Sequence, residues 1–321
     1  ETSVRGIYVA GDLTGIPLLK LAAESGKKVV DTISRDELYK AHRKEKTDSE
    51  IYDLIIVGAG PAGISAGLEA VKQNLKFKIL ESAQRFSTII NFPKAKPIFA
   101  EPEDYNQRAD LKIQDGTKES LLDDLYKQVE GIDLPLEEDA MVEKIEKRNN
   151  HFEVFTKQEN YKALRIILAI GKSGNARMLD VPGENLPKVF NRLFDPADAE
   201  GHDVLIVGGG DSAIESALLL ADENNSVTLS YRSDSFSRLK PKNLERINNA
   251  ERGNKIKVIL NSEVSEILDN SVILKLKNNP EPHVIENDLV YIFAGGILPT
   301  KLLENIGIKI TKKFGEAVLK H

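Results

Sequence analysis

The sequence predicts an α/β fold in which one architectural unit occurs twice. Three observations predict it. A short apolar run, a glycine cluster, a helix-spaced stretch and a second apolar run follow one another over 52–80 and again over 203–231. Each copy is trailed by segments that read as antiparallel strands, over 141–170 and roughly 256–292. The 321 residues are 41% hydrophobic and 29% charged, enough for two domains with their own cores.

The chain opens with Gly6–Ala10, a short apolar run that ends in Gly11-Asp12, and a helix-like stretch from Pro17 to Ile33 follows. Residues 34–50, SRDELYKAHRKEKTDSE, are densely charged and lack a sustained apolar stripe. They read as a solvated linker, helical in part. Tyr52–Val57 is then a strand, 62–73 a helix and Phe77–Leu80 a second strand, which makes a β-α-β unit. The segments VEKIEK, HFEVFT and ALRIILAIG form the first meander, with a turn at Asn149-Asn150. The second β-α-β unit ends at Val227–Tyr231, and IKVILNSEVSEI, SVILKLK and DLVYIFAGG give a second meander.

Gly58-Ala59-Gly60-Pro61-Ala62-Gly63 lies between the first strand and helix. In this pattern Gly58 permits the tight turn, Gly60 leaves room for a pyrophosphate, and Gly63 lets the helix approach the strand. The phosphates then sit on unpaired N–H groups at the positive end of the helix dipole. Glu81 ends the next strand, 18 residues after Gly63, where an acid accepts hydrogen bonds from a ribose. These parts together predict a dinucleotide site. Gly208-Gly209-Gly210-Asp211-Ser212-Ala213 is the second such turn, with alanine at the third small position. Its following strand ends in Tyr231-Arg232-Ser233 and carries no acid. A missing acid removes a ribose 2′-hydroxyl acceptor and a charge that would repel a 2′-phosphate. Arg232 can pair with that phosphate, with Arg238 nearby and Lys240 a weaker candidate. One charge-assisted bond is worth about 1.5–3 kcal/mol, roughly ten- to a hundredfold in affinity. NADPH is therefore expected over NADH. Two dinucleotide sites in one chain suggest a relay in which one holds a flavin and the other a nicotinamide.

The order of these parts resembles the thioredoxin reductase-like branch of the two-dinucleotide-domain flavoproteins. The residues that carry the resemblance are the turn at 58–63, NFP at Asn91–Pro93, AIG at Ala169–Gly171, VPGE at Val181–Glu184, GGGDSA at 208–213 and YR at 231–232. The resemblance implies two Rossmann-like domains, with the NAD(P)H domain inserted into the FAD domain. The boundaries expected are 51–170 for the FAD domain, 171–292 for the NAD(P)H domain and 293–321 for the return to the FAD domain. Residues 1–33 match the family's final segment, so Gly11 and Asp12 carry over as FAD contacts, as does Gly171. Thr88 and Asn91, in RFSTIINFPKAKPIF, carry over as residues facing the flavin ring; a surface loop with its own turn contacts is the other reading. Two arrangements remain open for residues 1–33. They end an upstream module in a tandem protein, or they complete the flavin site of this same chain in permuted order. The charged stretch of 17 residues spans up to ~55 Å when extended, so its length permits either.

The function implied is an FAD-dependent NAD(P)H oxidoreductase that passes hydride from NADPH to FAD and on to a small-molecule or protein acceptor. The chain has no cysteine, and NRLFDPADAE stands where such reductases carry a CxxC pair. Disulfides, thiolate metal sites and a cysteine nucleophile are excluded for this chain. The five histidines show no metal-ligand spacing, and no residue is assigned a catalytic role. A net charge of −6 without a basic block argues against nucleic acid. No apolar run approaches the length of a membrane span. A cytoplasmic location is expected, and a homodimer is left open. Two other readings remain: a non-catalytic nucleotide-binding sensor or scaffold, and a flavin monooxygenase-like enzyme.

Overall fold

A computed structural model describes residues 1–46, 48–172, 177–296 and 299–310. In chain order the first part holds β1 (Ile7–Val9), α1 (Leu19–Arg35), α2 (Glu37–Glu45), β2 (Tyr52–Val57), α3 (Pro61–Lys72), β3 (Phe77–Leu80), α4 (Ser87–Ile90), β4 (Pro97–Ile98), β5 (Gly116–Thr117), α5 (Lys118–Val129), β6 (Leu136–Glu137), β7 (Val142–Lys147), β8 (Phe152–Thr156) and β9 (Asn160–Leu168). The second part holds β10 (Val189–Phe190), β11 (Asp203–Val207), α6 (Asp211–Asp222), β12 (Ser226–Ser230), α7 (Pro241–Arg252), β13 (Ile256–Ile259), β14 (Ser262–Ile267), β15 (Ser271–Leu276), β16 (Asn279–Glu286), β17 (Leu289–Ile292) and α8 (Thr300–Asn305).

The first sheet runs β6-β3-β2-β9-β8-β7, with β1 also on β9. Strand β9 is shared lengthwise. Its first half pairs antiparallel with β8, through Phe152↔Ala163 and Val154↔Tyr161. Its second half pairs parallel with β1, through Ile7↔Ile166 and Val9↔Leu168. On its other edge it runs parallel to β2, with Val57 opposite Leu168. Strands β2, β9 and β1 therefore finish side by side. The first meander is present as β7, β8 and β9.

Residues 1–46 belong to this layer and pack on the same chain. Helix α1 buries Ala23, Gly26, Val30 and Ile33 against α3, a helix whose residues from Pro61 to Ala70 are all buried. Full burial of Val30 and Ile33 contributes about 1.5–3 kcal/mol each. The charged stretch 34–50 is helical in part, as expected, through α2, and most of its described residues are exposed, but it is fastened to the first layer. The N-cap of α2, Asp36, accepts a hydrogen bond from the Tyr39 amide at 2.6 Å. Tyr39 is buried, and its charged neighbours face buried counter-ions. Arg43 Nε and Lys46 Nζ lie 3.3 and 3.0 Å from the Asp53 carboxylate on β2. Asp36 Oδ1 lies 3.4 Å from Arg165 on β9. Burial pushes the Asp36 carboxyl up, but the Tyr39 amide and Arg165 outweigh it and hold the group below its ordinary value. A charge run reads as solvated when its partners lie more than a hundred residues away, as Arg165 does.

The second sheet is β10-β17-β11-β12-β13, parallel throughout. The expected second meander is therefore corrected. Only β14, β15 and β16 form an antiparallel sheet. β13 and β17 join the parallel sheet instead, because their apolar residues are taken up by its two faces. After β17 the chain returns to the first layer, where Leu303 of α8, Ile306 and Ile308 pack beside Val4 and Ile7. The Lys309 amide donates to Ser3 Oγ at 2.8 Å. Of the expected return segment, 311–321 lies outside the described residues.

Candidate functional site

The first glycine turn joins β2 to α3. Gly58 has φ +103°, and a Cβ there would stand 2.5 Å from the Ala169 carbonyl oxygen. A Cβ on Gly63 would stand 1.8 Å from the Gly58 carbonyl oxygen. The turn, the helix start and the end of β9 are thus in contact, which is the packing the GxGxxG spacing requires. Gly60 is the N-cap of α3 and Pro61 its first residue, with no side-chain cap on the helix. A Cβ on Gly60 would meet nothing within 4 Å. The N-cap of α3 therefore borders open space.

Glu81 follows β3 and is buried. Its carboxylate accepts from the Ala59 amide at 2.7 Å and the Ala83 amide at 3.0 Å. The Phe86 amide donates to the Ala59 carbonyl at 3.0 Å. The 81–86 loop is thereby closed over the turn. Thr88 lies in α4 and Asn91 is its C-cap, on the segment that this loop leads into.

Two further strand ends meet the turn. Gly171, with φ +59°, follows β9. Gly11 and Asp12 open a 3-10 helix directly after β1. Gly11 donates its amide to Ser25 Oγ of α1 at 2.7 Å. Asp12 Oδ1 is buried and has no aligned hydrogen-bond donor among the described residues; Lys172 Nζ lies 3.2 Å away as an ion pair. The structure thus brings Gly58, Gly60, Gly171, Gly11 and Asp12 to the ends of three adjacent parallel strands, where α/β sheets take ligands. Ser25 and Lys172 were missed in the sequence. Lys172 adjoins the AIG motif, and only its neighbour across β9, Asp12, gives it meaning.

The second turn joins β11 to α6. Gly208 has φ +148°, and a Cβ on Gly209 would strike the Tyr231 ring at 2.3 Å. Gly210 caps α6 without a side-chain hydrogen bond and also faces open space. Ser212 is exposed and Ala213 buried. Asp211 Oδ1 accepts from the Lys240 amide at 3.1 Å and from Asn243 Nδ2 at 2.7 Å. The same Asn243 Nδ2 reaches Glu215 Oε1 at 2.9 Å. Tyr231 stacks on Phe236, with ring centroids 5.4 Å apart and planes 7° apart. That stack folds the loop carrying Arg232 back on itself. Arg232 and Arg238 are both exposed, and neither has an ion-pair partner among the described residues. Tyr231 and Asn243 were also missed: an aromatic at a strand end and an asparagine on a charged helix carry no signal until the fold sets them beside the turn.

A recess of about 450 Å³ lies elsewhere, between Glu50, Tyr52, Lys76 and Lys162 at the starting ends of β2 and β9. It is open and polar, and it lies at the opposite end of β2 from the first turn. Among the described residues no cluster of His, Asp and Glu could hold a metal ion. No described helix is long and apolar enough to cross a membrane.

Two glycine turns, each between a strand paired in parallel with its neighbours and a helix without a side-chain cap, define an α/β protein with two turns of the dinucleotide-binding type. A family profile described as pyridine nucleotide-disulphide oxidoreductase matches residues 55–320, and the chain belongs to that family. Bacilliredoxin reductase of Bacillus subtilis is 29% identical over 266 residues, 81% of this chain and 82% of the relative. A ferredoxin–NADP reductase of Ignicoccus hospitalis is 30% identical over 217 residues, 67% of this chain and 66% of the relative. Among solved structures, a bacillithiol disulfide reductase of Staphylococcus aureus matches with a TM-score of 0.75 at 27% identity, covering 82% of each chain. The chain is an FAD-dependent NAD(P)H oxidoreductase whose cofactors are FAD and NADPH, and it contains no cysteine.

Proposed function

We propose that FAD is held at Gly58–Gly63, Glu81, Gly171, Gly11 and Asp12, and NADPH at Gly208–Ala213, Arg232 and Arg238. The observation that carries this is the convergence of three parallel strand ends on one crevice, with the buried Asp12 Oδ1 lacking an aligned donor among the described residues. The Lys172 ammonium at 3.2 Å offsets the charge of that oxygen, which keeps a lone pair for a cofactor hydroxyl. The open N-termini of α3 and α6 fit the two pyrophosphates. Bound together, the two cofactors supply hydride transfer from nicotinamide to flavin.

The residues do the positioning. The uncapped amides of α3 and α6 take the phosphates. The Glu81 carboxylate, fixed by two backbone amides, keeps lone pairs for a ribose. Thr88 and Asn91 lie on the segment that borders the ring. Exposed Arg232 and Arg238 receive the 2′-phosphate. Residues 1–46 complete the flavin site of their own chain, since Gly11 and Asp12 reach it through β1.

The acceptor is an external small molecule or protein. A chain without cysteine has no disulfide of its own to relay electrons, so the acceptor meets the flavin directly. An NADPH-rich cytoplasm suits such an enzyme. The test is Arg232→Ala, read as the ratio of NADPH to NADH affinity in the FAD-loaded chain. A ratio that falls about ten- to a hundredfold supports the assignment; an unchanged ratio overturns it.

A further inference from the structure

We propose that Lys240 and Lys242 are further phosphate-binding residues of the dinucleotide site, and that Glu101 and Glu103 of the first domain compete with the nucleotide for them. The inference rests on the NADPH site proposed above.

The segment from Lys94 to Glu103 crosses from the first sheet's layer to the second's, and its charges are matched in order. Lys94 Nζ lies 2.7 Å from Asp195, and Lys96 Nζ 2.9 Å from Glu215 on α6. Further along, Glu101 Oε2 lies 3.5 Å from Lys240 Nζ, and Glu103 Oε1 3.3 Å from Lys242 Nζ. Two basic residues thus meet two acids, and two acids meet two basic residues. The pairs differ in surroundings, with Lys94–Asp195 and Lys240–Glu101 between the two extremes. Lys96–Glu215 is largely buried, with the side chains 12% and 7% exposed. Breaking such a pair by removing one partner strands a buried charge. Lys242–Glu103 is 54% and 73% exposed, and exchange of partners there is easy.

The Lys240 and Lys242 pairs border the nucleotide turn. The Lys240 amide is bonded to Asp211, the first residue of α6. Lys242 is in the first turn of α7, whose Asn243 is bonded to the same carboxylate. With Arg232 and Arg238, the two lysines place four cations around the end of β12 and the start of α7. The acids opposite are braced. Lys20 Nζ of α1 donates to the Pro102 carbonyl at 2.7 Å, between Glu101 and Glu103. Lys242 Nζ also lies 4.8 Å from the centre of the Phe99 ring. Dinucleotide phosphates approaching α6 must displace these carboxylates from the lysines, while Lys94 and Lys96 keep the two domains in contact.

The experiment is anaerobic calorimetric titration of the full chain, its FAD first reduced with dithionite so that no hydride is transferred, with NADPH and with NADH, in wild type and in Glu101→Gln/Glu103→Gln. The double variant is expected to bind NADPH about three- to tenfold more tightly. Its affinity is also expected to fall more steeply with added salt, because no protein carboxylate substitutes for the lost phosphate contact. A gain confined to NADPH assigns the lysines to the 2′-phosphate, and an equal gain for NADH assigns them to the pyrophosphate; both support the competition. Unchanged or weaker binding overturns it. Lys240→Met/Lys242→Met is expected to lose affinity, and retained affinity also overturns it. If wild type binds no NADPH, the parent site assignment fails; if it binds but the glutamate variant changes nothing, only the competition fails.

Discussion

The two glycine turns share a backbone path and differ in how tightly their helices are pressed to the strand. At the third small position the first turn has Gly63 and the second has Ala213. A Cβ on Gly63 would stand 1.8 Å from the Gly58 carbonyl oxygen, whereas Ala213 carries its methyl buried without distortion. The cause is on the far side of the helix. α3 is held between the sheet and α1, where a Cβ on Gly26 would come 2.0 Å from the Ala62 carbonyl oxygen. Residues 1–46 thus do more than add Gly11 and Asp12 to the flavin site; they press its central helix onto the turn. The strand ends differ as well. The first closes on buried Glu81, bonded to two amides, and the second on Tyr231 and an exposed arginine. The same scaffold is set for a ribose in one case and for a phosphate in the other.

Substitution at the third small position breaks the comparison most sharply. Gly63→Ala is expected to destabilise the first domain by about 3 kcal/mol and to abolish FAD retention, measured by chemical unfolding and by flavin content after gel filtration. Ala213→Gly is expected to cost only about 1 kcal/mol through helix propensity and to keep NADPH binding. Equal effects would show that α1 does not set the difference. Next in size is Glu81→Ala, which leaves the Ala59 and Ala83 amides without their acceptor. About 1–3 kcal/mol of stability and most FAD affinity should be lost, with NADPH binding unchanged in the same preparation. Loss of both nucleotides together would contradict separate sites. Arg232→Ala sharpens the comparison from the other side, by lowering NADPH affinity while FAD affinity is untouched.

The smallest effect concerns how α2 is fastened. The Tyr39 hydroxyl is buried without a hydrogen-bond partner among the described residues, and burial, aided by nearby Asp53, pushes its pKa up to about 12 from an ordinary value of 10.0. Between these values the unfolded chain loses the proton and the folded chain keeps it. The contribution is fully present below pH ~10 and is lost as pH rises toward ~12. Tyr39→Phe should leave stability near neutral pH within about 0.5 kcal/mol and reduce the alkaline loss in thermal melts. An unchanged alkaline profile would show that Tyr39 is not a contributor.

Local sequence made both turns, β2, β3 and the first meander legible, because strand, glycine turn, helix and strand occupy one contiguous stretch. The Gly11-Asp12 motif was legible by type but not by partner, since β1 pairs with β9 more than 150 residues away. The docking of residues 34–50 is not legible locally because the partners of their charges, Asp53 and Arg165, are buried on strands. β13 and β17 are not separable from meander strands by sequence, because a short apolar run reads the same in a parallel sheet and in an antiparallel one. Lys96 and Glu215 carry no signal alone; only the approach of the two layers makes them a pair.

The most direct test of a two-site relay is an anaerobic titration of the FAD-loaded chain with NADPH, followed by flavin absorbance. Loss of the oxidised flavin band at one equivalent of NADPH is the result this account predicts. FAD that stays bound while its band persists under saturating, demonstrably bound NADPH would contradict it.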